Sequence, residues 1–370
     1  MIIRYLKEQI KKDIIRKMVF VGGPRQVGKT TLAKSLLVNK EGYLNWDVPE
    51  DRERILKREF YPANLWIFDE IHKFKLWRNF LKGIYDNKSS QQKILVAGSA
   101  RLDHYRYSGD SLQGRYHYLR LHPLSLAELK SKSQESLMDL LKFGGFPEPF
   151  FSASETEAKR WSREYRNRFI REDLVQLERV HDLGRLELLA LRLPELVGSP
   201  LSINALREDL QLSHKTVALW LQIFERLYTI FRVSPFGAPK IRSVKKEQKH
   251  YHFDWSLVPN MPQRFENLVA SALLKWVHFR QDVYGEELDL RYFRDVDKRE
   301  VDFVLVNNKK PTMFIECKWD DAPTSPALKY LKQRFPSCES WQISAVGKKH
   351  FVDNLGIHVS SATKLLEKLT

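Results

Sequence analysis

Along the first third of the chain, short apolar runs alternate with amphipathic stretches. Met18–Val21 stops at Gly22-Gly23-Pro24, Leu65–Phe68 at Asp69-Glu70, and Lys93–Ala97 at Gly98-Ser99. Between them Thr30–Leu37, Asp51–Phe60 and Trp77–Tyr85 have helical character, and Tyr43–Trp46 is a short strand candidate. Apolar runs of this length bounded by turn residues fit strands buried on both faces. Strands that alternate with helices predict a parallel sheet covered on both sides. Ligands of such sheets bind at the carboxyl ends of the strands, which is where all three polar breaks fall.

The alternation ends at His122-Pro123-Leu124-Ser125-Leu126 and Gly144-Gly145-Phe146-Pro147-Glu148-Pro149. Beyond it, Glu155–Val180 has the pattern of a long charged helix. Residues 185–255 read as several helices followed by a basic hairpin, and a new unit of one helix and several strands opens after about 262. The expected division is 1–150, 151–260 and 261–370, since 370 residues suggest two or three domains at about 100–200 residues each. The opening MIIRYLKEQIKKDIIRKM reads as an amphipathic helix without the continuous apolar core of a signal peptide.

Gly23-Pro24-Arg25-Gln26-Val27-Gly28-Lys29-Thr30 fits the phosphate-loop pattern, with an apolar strand before it and a helix after it. Its glycines let backbone N–H groups wrap phosphates, next to the positive end of a helix that begins with Lys29, Thr30 and Thr31. Lys29 would neutralise the β- and γ-phosphates, and the Thr30 hydroxyl would hold Mg²⁺. The strand Leu65–Phe68 delivers Asp69 to the same edge to hold that metal, and Glu70 follows to polarise the attacking water. Asp69 as a simple helix cap is the rival reading. Lys93–Ser99 is expected as a strand between these two, with Ser99 hydrogen-bonding the γ-phosphate. Arg115 is the first candidate for a further positive charge at that phosphate, and Arg101 the second. Because such an arginine often comes from a neighbouring copy, the sequence leaves a homo-oligomer open.

In the middle, Ser202 opens one helix and Ser213 caps another, His214–Leu227, across a short turn; this is helix-turn-helix spacing. Phe231–Val233 and His250–Phe253 flank Lys240, Arg242, Lys245, Lys246 and Lys249, which reads as a β-wing with a basic tip that meets a DNA backbone. The same segments also fit a helical lid with solvated charges.

Near the end, Glu300–Val306 and Thr312–Lys318 form a hairpin about Asn307–Pro311. If it is symmetric about Lys309, Asp302 lies opposite Glu316, and Lys318 shares the face of Glu316. Like charges opposed destabilise a sheet unless a divalent cation lies between them. Asp302 and Glu316 would then hold Mg²⁺ or Mn²⁺ to activate water, with Glu266 from the preceding helix reaching the same metal and Lys318 stabilising the developing charge. A Lys–Glu–Asp salt-bridge cluster fits the same spacing.

Composition narrows the partners. Lys and Arg number 62 against 46 Asp and Glu, a net charge of +16 that favours a polyanion such as DNA. Hydrophobic residues at 43% and charged residues at 29% exclude disordered and collagen-like chains. The two cysteines, Cys317 and Cys338, exclude a disulfide framework and fit a reducing cytoplasm. No stretch of about 18 apolar residues predicts a membrane span.

With these residues placed, the chain resembles the bacterial and archaeal AAA+ ATPases that carry a C-terminal DUF4143 domain. The resemblance rests on the ordered series GGPRQVGKTTL, YLNWDVPEDRERIL, IFDEIHKFKLWRNFLKGIYD, ILVAGSARLD, LQGRYHYLRLHPLSLAEL, GGFPEP and RFEN…REVDFVL…IECKW. It implies an AAA-type ATPase core, a winged helix, and a C-terminal α/β domain similar to restriction endonucleases of the PD-(D/E)XK type. In that fold the hairpin acids and the lysine bind metal and cut DNA; the positions that match are Asp302, Glu316 and Lys318, with Glu266 on the helix. No proline precedes Asp302, where Val301 stands. The expected function is an ATP-hydrolysing, DNA-binding enzyme coupled to a metal-dependent nuclease centre, or alternatively a non-cutting nucleotide switch on DNA.

Overall fold

Five parallel strands form the sheet of the N-terminal unit: β1 (Met18–Gly22), β2 (Tyr43–Asn45), β3 (Leu65–Asp69), β4 (Lys93–Ala97) and β5 (Tyr116–Arg120). They lie in the order β2-β3-β4-β1-β5. β4 therefore separates β1 from β3, as the sequence predicts. The computed structural model describes residues 2–98, 112–168, 182–237 and 248–369. Its contacts divide the chain into two units. One runs to Pro123 and takes in Asp282–Tyr284; the other comprises Leu124–Gln281 and the residues from Gly285 onward.

β1 is buried at all five positions, as a central strand of a covered parallel sheet must be. Helices α1 (Lys7–Asp13), α2 (Lys29–Lys34), α3 (Pro49–Lys57) and α4 (Trp77–Asn87) accompany the sheet. α4 buries Trp77, Phe80, Leu81 and Ile84, a three-and-four spacing that makes one apolar face. That face joins Met18, Phe20, Phe68 and Ile94 in one core, where each large side chain contributes about 1.5–3 kcal/mol. α3 starts at Pro49, whose fixed φ suits the first helical turn. It stops before the expected Phe60 because Arg58 adopts a left-handed cap at φ 59°.

The second unit carries an eight-stranded sheet ordered β12-β13-β11-β10-β9-β8-β6-β7. Its strands are β6 (Ile230–Pro235), β7 (Lys249–His252), β8 (Leu288–Arg294), β9 (Glu300–Asn307), β10 (Lys310–Lys318), β11 (Glu339–Ser344), β12 (Phe351–Val352) and β13 (His358–Ser361). β6 and β7 form the expected antiparallel hairpin. That hairpin is not a free-standing wing: β6 also runs parallel to β8 through Ser234↔Arg291 and Pro235↔Tyr292. Between β9 and β10, Asn308 (φ 48°) and Lys309 (φ 67°) make a two-residue turn in the left-handed region, the geometry that matches strand twist.

Two helices with the predicted short turn are present. Ser202 caps Ile203–Asp209 by accepting from Ala205 N–H, and Ser213 caps His214–Arg226 by accepting from Thr216 N–H. The charged helix is Glu155–Arg168; its expected continuation to Val180 lies outside the described residues. Among the described residues, no helix is long and apolar enough to cross a membrane. Cys317 and Cys338 are free thiols.

Candidate functional site

The phosphate loop leaves the sheet at a point only glycine can occupy. A Cβ at Gly23 would stand 2.2 Å from the Leu121 carbonyl oxygen, and Gly23 has φ +139°. Pro24 is buried, Arg25 half-buried and Gln26 exposed at φ 58°, while Val27 is fully buried and pins the loop. Arg4, just before α1, holds the loop from behind: Nη1 donates to the Val27 carbonyl at 2.7 Å and Nη2 to the His122 carbonyl. Sequence reasoning missed Arg4, because nothing local links residue 4 to residue 27.

Gly28 (φ +96°) turns the chain into α2. Lys29 is buried, and its ammonium donates to the carbonyls of Gly23, at 3.0 Å, and Pro24. Thr30 Oγ1 donates to Asp69 Oδ2 at 2.6 Å, across 39 residues of sequence. Thr31 is exposed on the following position. Asp69 itself is 3% exposed, at the carboxyl end of β3. Thr30 and Asp69 thus bring together a hydroxyl and a carboxylate, the hard oxygen donors that Mg²⁺ takes.

Tyr43, His72 and Lys73 were not foreseen. Tyr43, on β2, donates its hydroxyl to Asp69 Oδ2 at 2.8 Å. Burial, and next the Asp69 charge, push the Tyr43 phenol well above its usual range, so it remains a donor. Its only signal was that β2 lies beside β3 in parallel register, Asn45↔Asp69. Glu70 sits at φ 54°, left-handed and rare for a residue with a side chain. Its N–H donates to the Ala97 carbonyl at 3.0 Å, and its Oε2 lies 3.5 Å from both His72 Nε2 and Lys73 Nζ. Lys73 also pairs with Asp47. Ser99 and Arg101 lie outside the described residues.

Arg115 does not reach this edge. Its carbonyl accepts from Met18 N–H and it immediately precedes β5, so it stands at the amino end of the sheet. The five residues of β1 separate that end from the phosphate loop by on the order of 15 Å. There Arg115 makes a two-pronged pair with Asp86, Nε at 2.8 Å and Nη2 at 3.2 Å.

In the second unit the hairpin register differs from a simple symmetric one and still brings the expected residues together. Pairing begins at Lys310↔Asn307, shifts at a bulge between Pro311 and Met313, and continues to Ile315↔Phe303. One further step sets Glu316 beside Asp302. Asp302 Oδ2 accepts from Cys317 N–H at 2.9 Å, and Lys318 Nζ donates to Glu316 Oε1 at 2.7 Å. Burial, and then the Asp302 charge, raise the Glu316 carboxyl to about 7, and they raise Glu266 to about 7 as well.

Lys249 departs from expectation. Instead of facing phosphate from a wing tip, it is 1% exposed, with Nζ 3.2 Å from Glu266, 2.7 Å from Glu300 and 3.4 Å from Asp302. Burial works against its charge, but those three carboxylates outweigh it and hold the ammonium well above the usual lysine range. Tyr251 donates to Glu266 Oε1 at 2.7 Å. Lys240, Arg242, Lys245 and Lys246 lie outside the described residues.

Residues 15–130 match the AAA domain family, residues 134–268 a domain of unknown function (DUF8612), and residues 263–353 a domain of unknown function (DUF4143). An uncharacterized protein of Methanocaldococcus jannaschii is 24% identical over 269 residues, 66% of this chain and 58% of that protein. An uncharacterized protein of Mycobacterium tuberculosis is 29% identical over 166 residues, 43% of this chain and 36% of that protein. The chain therefore spans only 58% and 36% of the length of these curated relatives. Among solved structures, a Walker-type ATPase of Pyrococcus abyssi is similar at 13% identity and a TM-score of 0.41, covering 68% of this chain and 93% of that one. The chain carries an AAA domain and a DUF4143 domain, on a mixed α/β fold whose N-terminal parallel sheet ends in an ATPase-type phosphate loop.

Proposed function

We propose that this chain hydrolyses ATP with Mg²⁺ and uses the cycle to switch its hold on DNA without cutting it. The observation that carries the reading is the 2.6 Å contact between Thr30 and Asp69, beside a buried Lys29 whose ammonium rests on carbonyls of its own loop. That ammonium can exchange weak carbonyl partners for the charged oxygens of a triphosphate, a stronger pairing. Mg²⁺ bound at Thr30 and Asp69 would neutralise charge on the β- and γ-phosphate oxygens. Glu70 would accept the proton of the attacking water as oxygen bonds to the γ-phosphorus and the bond to the bridging oxygen breaks, giving ADP and phosphate. Since Arg115 is tied to Asp86, a further cation would come from Arg101 or a neighbouring copy.

The +16 charge and the two serine-capped helices at helix-turn-helix spacing support DNA as the partner, with the middle read as a winged helix. The metal-dependent nuclease is the second reading. The gathering of Asp302, Glu316, Lys318 and Glu266 supports it, and Lys249, whose ammonium lies against Glu266 and Asp302, weighs against it.

Two measurements test the proposal. Lys29→Ala should abolish ATP turnover with the fold retained; unchanged turnover would refute the phosphate site. Fluorescence anisotropy with a labelled duplex should show affinity that falls as salt rises and that differs between ATP and ADP. Absent or salt-insensitive binding would remove DNA from the account.

A further inference from the structure

The carboxylate cluster of the second unit already contains a cation. Lys249 stands at the start of β7, and its ammonium has three N–H donors. Three carboxylate oxygens surround it, from Glu300 at 2.7 Å, Glu266 at 3.2 Å and Asp302 at 3.4 Å, drawn from β9 and the helix Met261–Tyr284. Tyr251, on the same face of β7, secures Glu266 from the side. At the rim, Arg294 Nη1 lies 3.7 Å from Glu300 Oε2.

A further carboxylate, Glu316, neighbours Asp302. Glu316 is 7% exposed; its Oε1 takes Lys318, but its Oε2 is buried with no hydrogen-bond partner among the described residues. The Lys249 ammonium occupies the carboxylate oxygens that a divalent ion would need and repels such an ion, a repulsion weakly screened at a buried site.

We propose that Lys249 is the resident cation of this nest, standing where a divalent ion would be held by Glu266, Glu300 and Asp302, and that removing its side chain turns the nest into a divalent-metal site. The fold thereby keeps the acids of a metal centre while an internal amine replaces the metal. No metal-bound water forms beside Asp302, and the unit does not cleave phosphodiesters by that route. This deepens the non-cutting clause of the function proposed above and does not depend on the ATP site.

The test is Mn²⁺ binding to the full chain without nucleotide, read by electron paramagnetic resonance. Wild type and Asp302→Asn should titrate alike. Lys249→Ala should gain one Mn²⁺ with affinity roughly tenfold or more above wild type, and Lys249→Ala with Asp302→Asn should lose it. If Lys249→Ala does not fold in metal-free buffer, added MnCl2 should restore a cooperative melt whose Tm rises with Mn²⁺. Wild-type Mn²⁺ binding that Asp302→Asn abolishes would overturn the proposal. So would a Lys249→Ala chain that gains neither bound Mn²⁺ nor a Mn²⁺-dependent Tm. Neither outcome bears on ATP turnover or DNA affinity.

Discussion

The hydroxyl of Tyr43 donates to Asp69 Oδ2 at 2.8 Å, on the same oxygen that takes the hydroxyl of Thr30 at 2.6 Å. Two donors from two elements thus fix the orientation of one carboxylate. Tyr43→Phe removes one of them at about 1 kcal/mol. The expected result is a higher Mg²⁺ concentration for half-maximal turnover, with metal-free nucleotide binding unchanged. A Mg²⁺ titration that superimposes on wild type would show that Tyr43 merely packs.

Glu70→Gln keeps the size of the side chain and its approach to His72 while removing the base. Turnover should fall by roughly 10²–10⁴-fold with nucleotide affinity retained. Steady-state hydrolysis beside equilibrium binding of a fluorescent ATP analogue separates the two. A variant that turns over like wild type would move the base elsewhere.

Arg115→Ala should leave turnover near the wild-type value, because that guanidinium is bound to Asp86 at the amino end of the sheet. A collapse in turnover that reappears on mixing with a chain lacking a different catalytic residue would instead mean that Arg115 acts on a neighbouring copy.

His250 and His252 give the second unit an acid limit. Both are fully buried, and burial first of all depresses them, to about 4 and about 3; the proximity of His250 lowers His252 further. The unfolded chain takes up their protons once the pH drops below about 6.5, whereas the fold does not until about 4 or lower. Their contribution is therefore complete above about 6.5 and is lost between about 6.5 and 4. Urea midpoints should fall over that window, and His250→Gln with His252→Gln should flatten the fall. The raised carboxyls of Glu266 and Glu316 act in the opposite direction, favouring the fold as pH drops below 7, so comparison with the variant isolates the histidines. A slope unchanged by the double substitution would assign the acid limit to other groups.

What the sequence made readable was local. The loop from Gly23 through Lys29 and Thr30, and Asp69, could be placed because the loop opens directly after one short apolar run and Asp69 ends another, and such a run in an alternating pattern leaves little choice of strand end. Arg115 was misplaced because Tyr116–Arg120, with its mixed polar pattern, was not read as β5; once it is a parallel strand beside β1, its first residues must lie away from the nucleotide edge. Tyr43 and Arg4 were invisible because their partners are 26 and 23 residues away and are chosen by strand order. Lys249 looked like one more basic residue near a hairpin tip. The fold instead sets it against Glu266 of a helix and Glu300 and Asp302 of β9, all distant in sequence, and burial inverts the meaning of a charge. The Asp302–Glu316 juxtaposition was found from a symmetric hairpin, but it arises from a tighter turn corrected by a bulge at Thr312.

The joint between β6 and β8 has a consequence for dissection of the chain. The matched stretches 134–268 and 263–353 meet in sequence, yet Ser234 and Pro235 of β6 pair with Arg291 and Tyr292 of β8. A fragment ending near Asn260 would bare the Ser234–Pro235 end of β6 and strand Lys249 without Glu266, Glu300 or Asp302. Such a piece would be sticky and short-lived, so any excised version meant to behave well in solution must keep both stretches together.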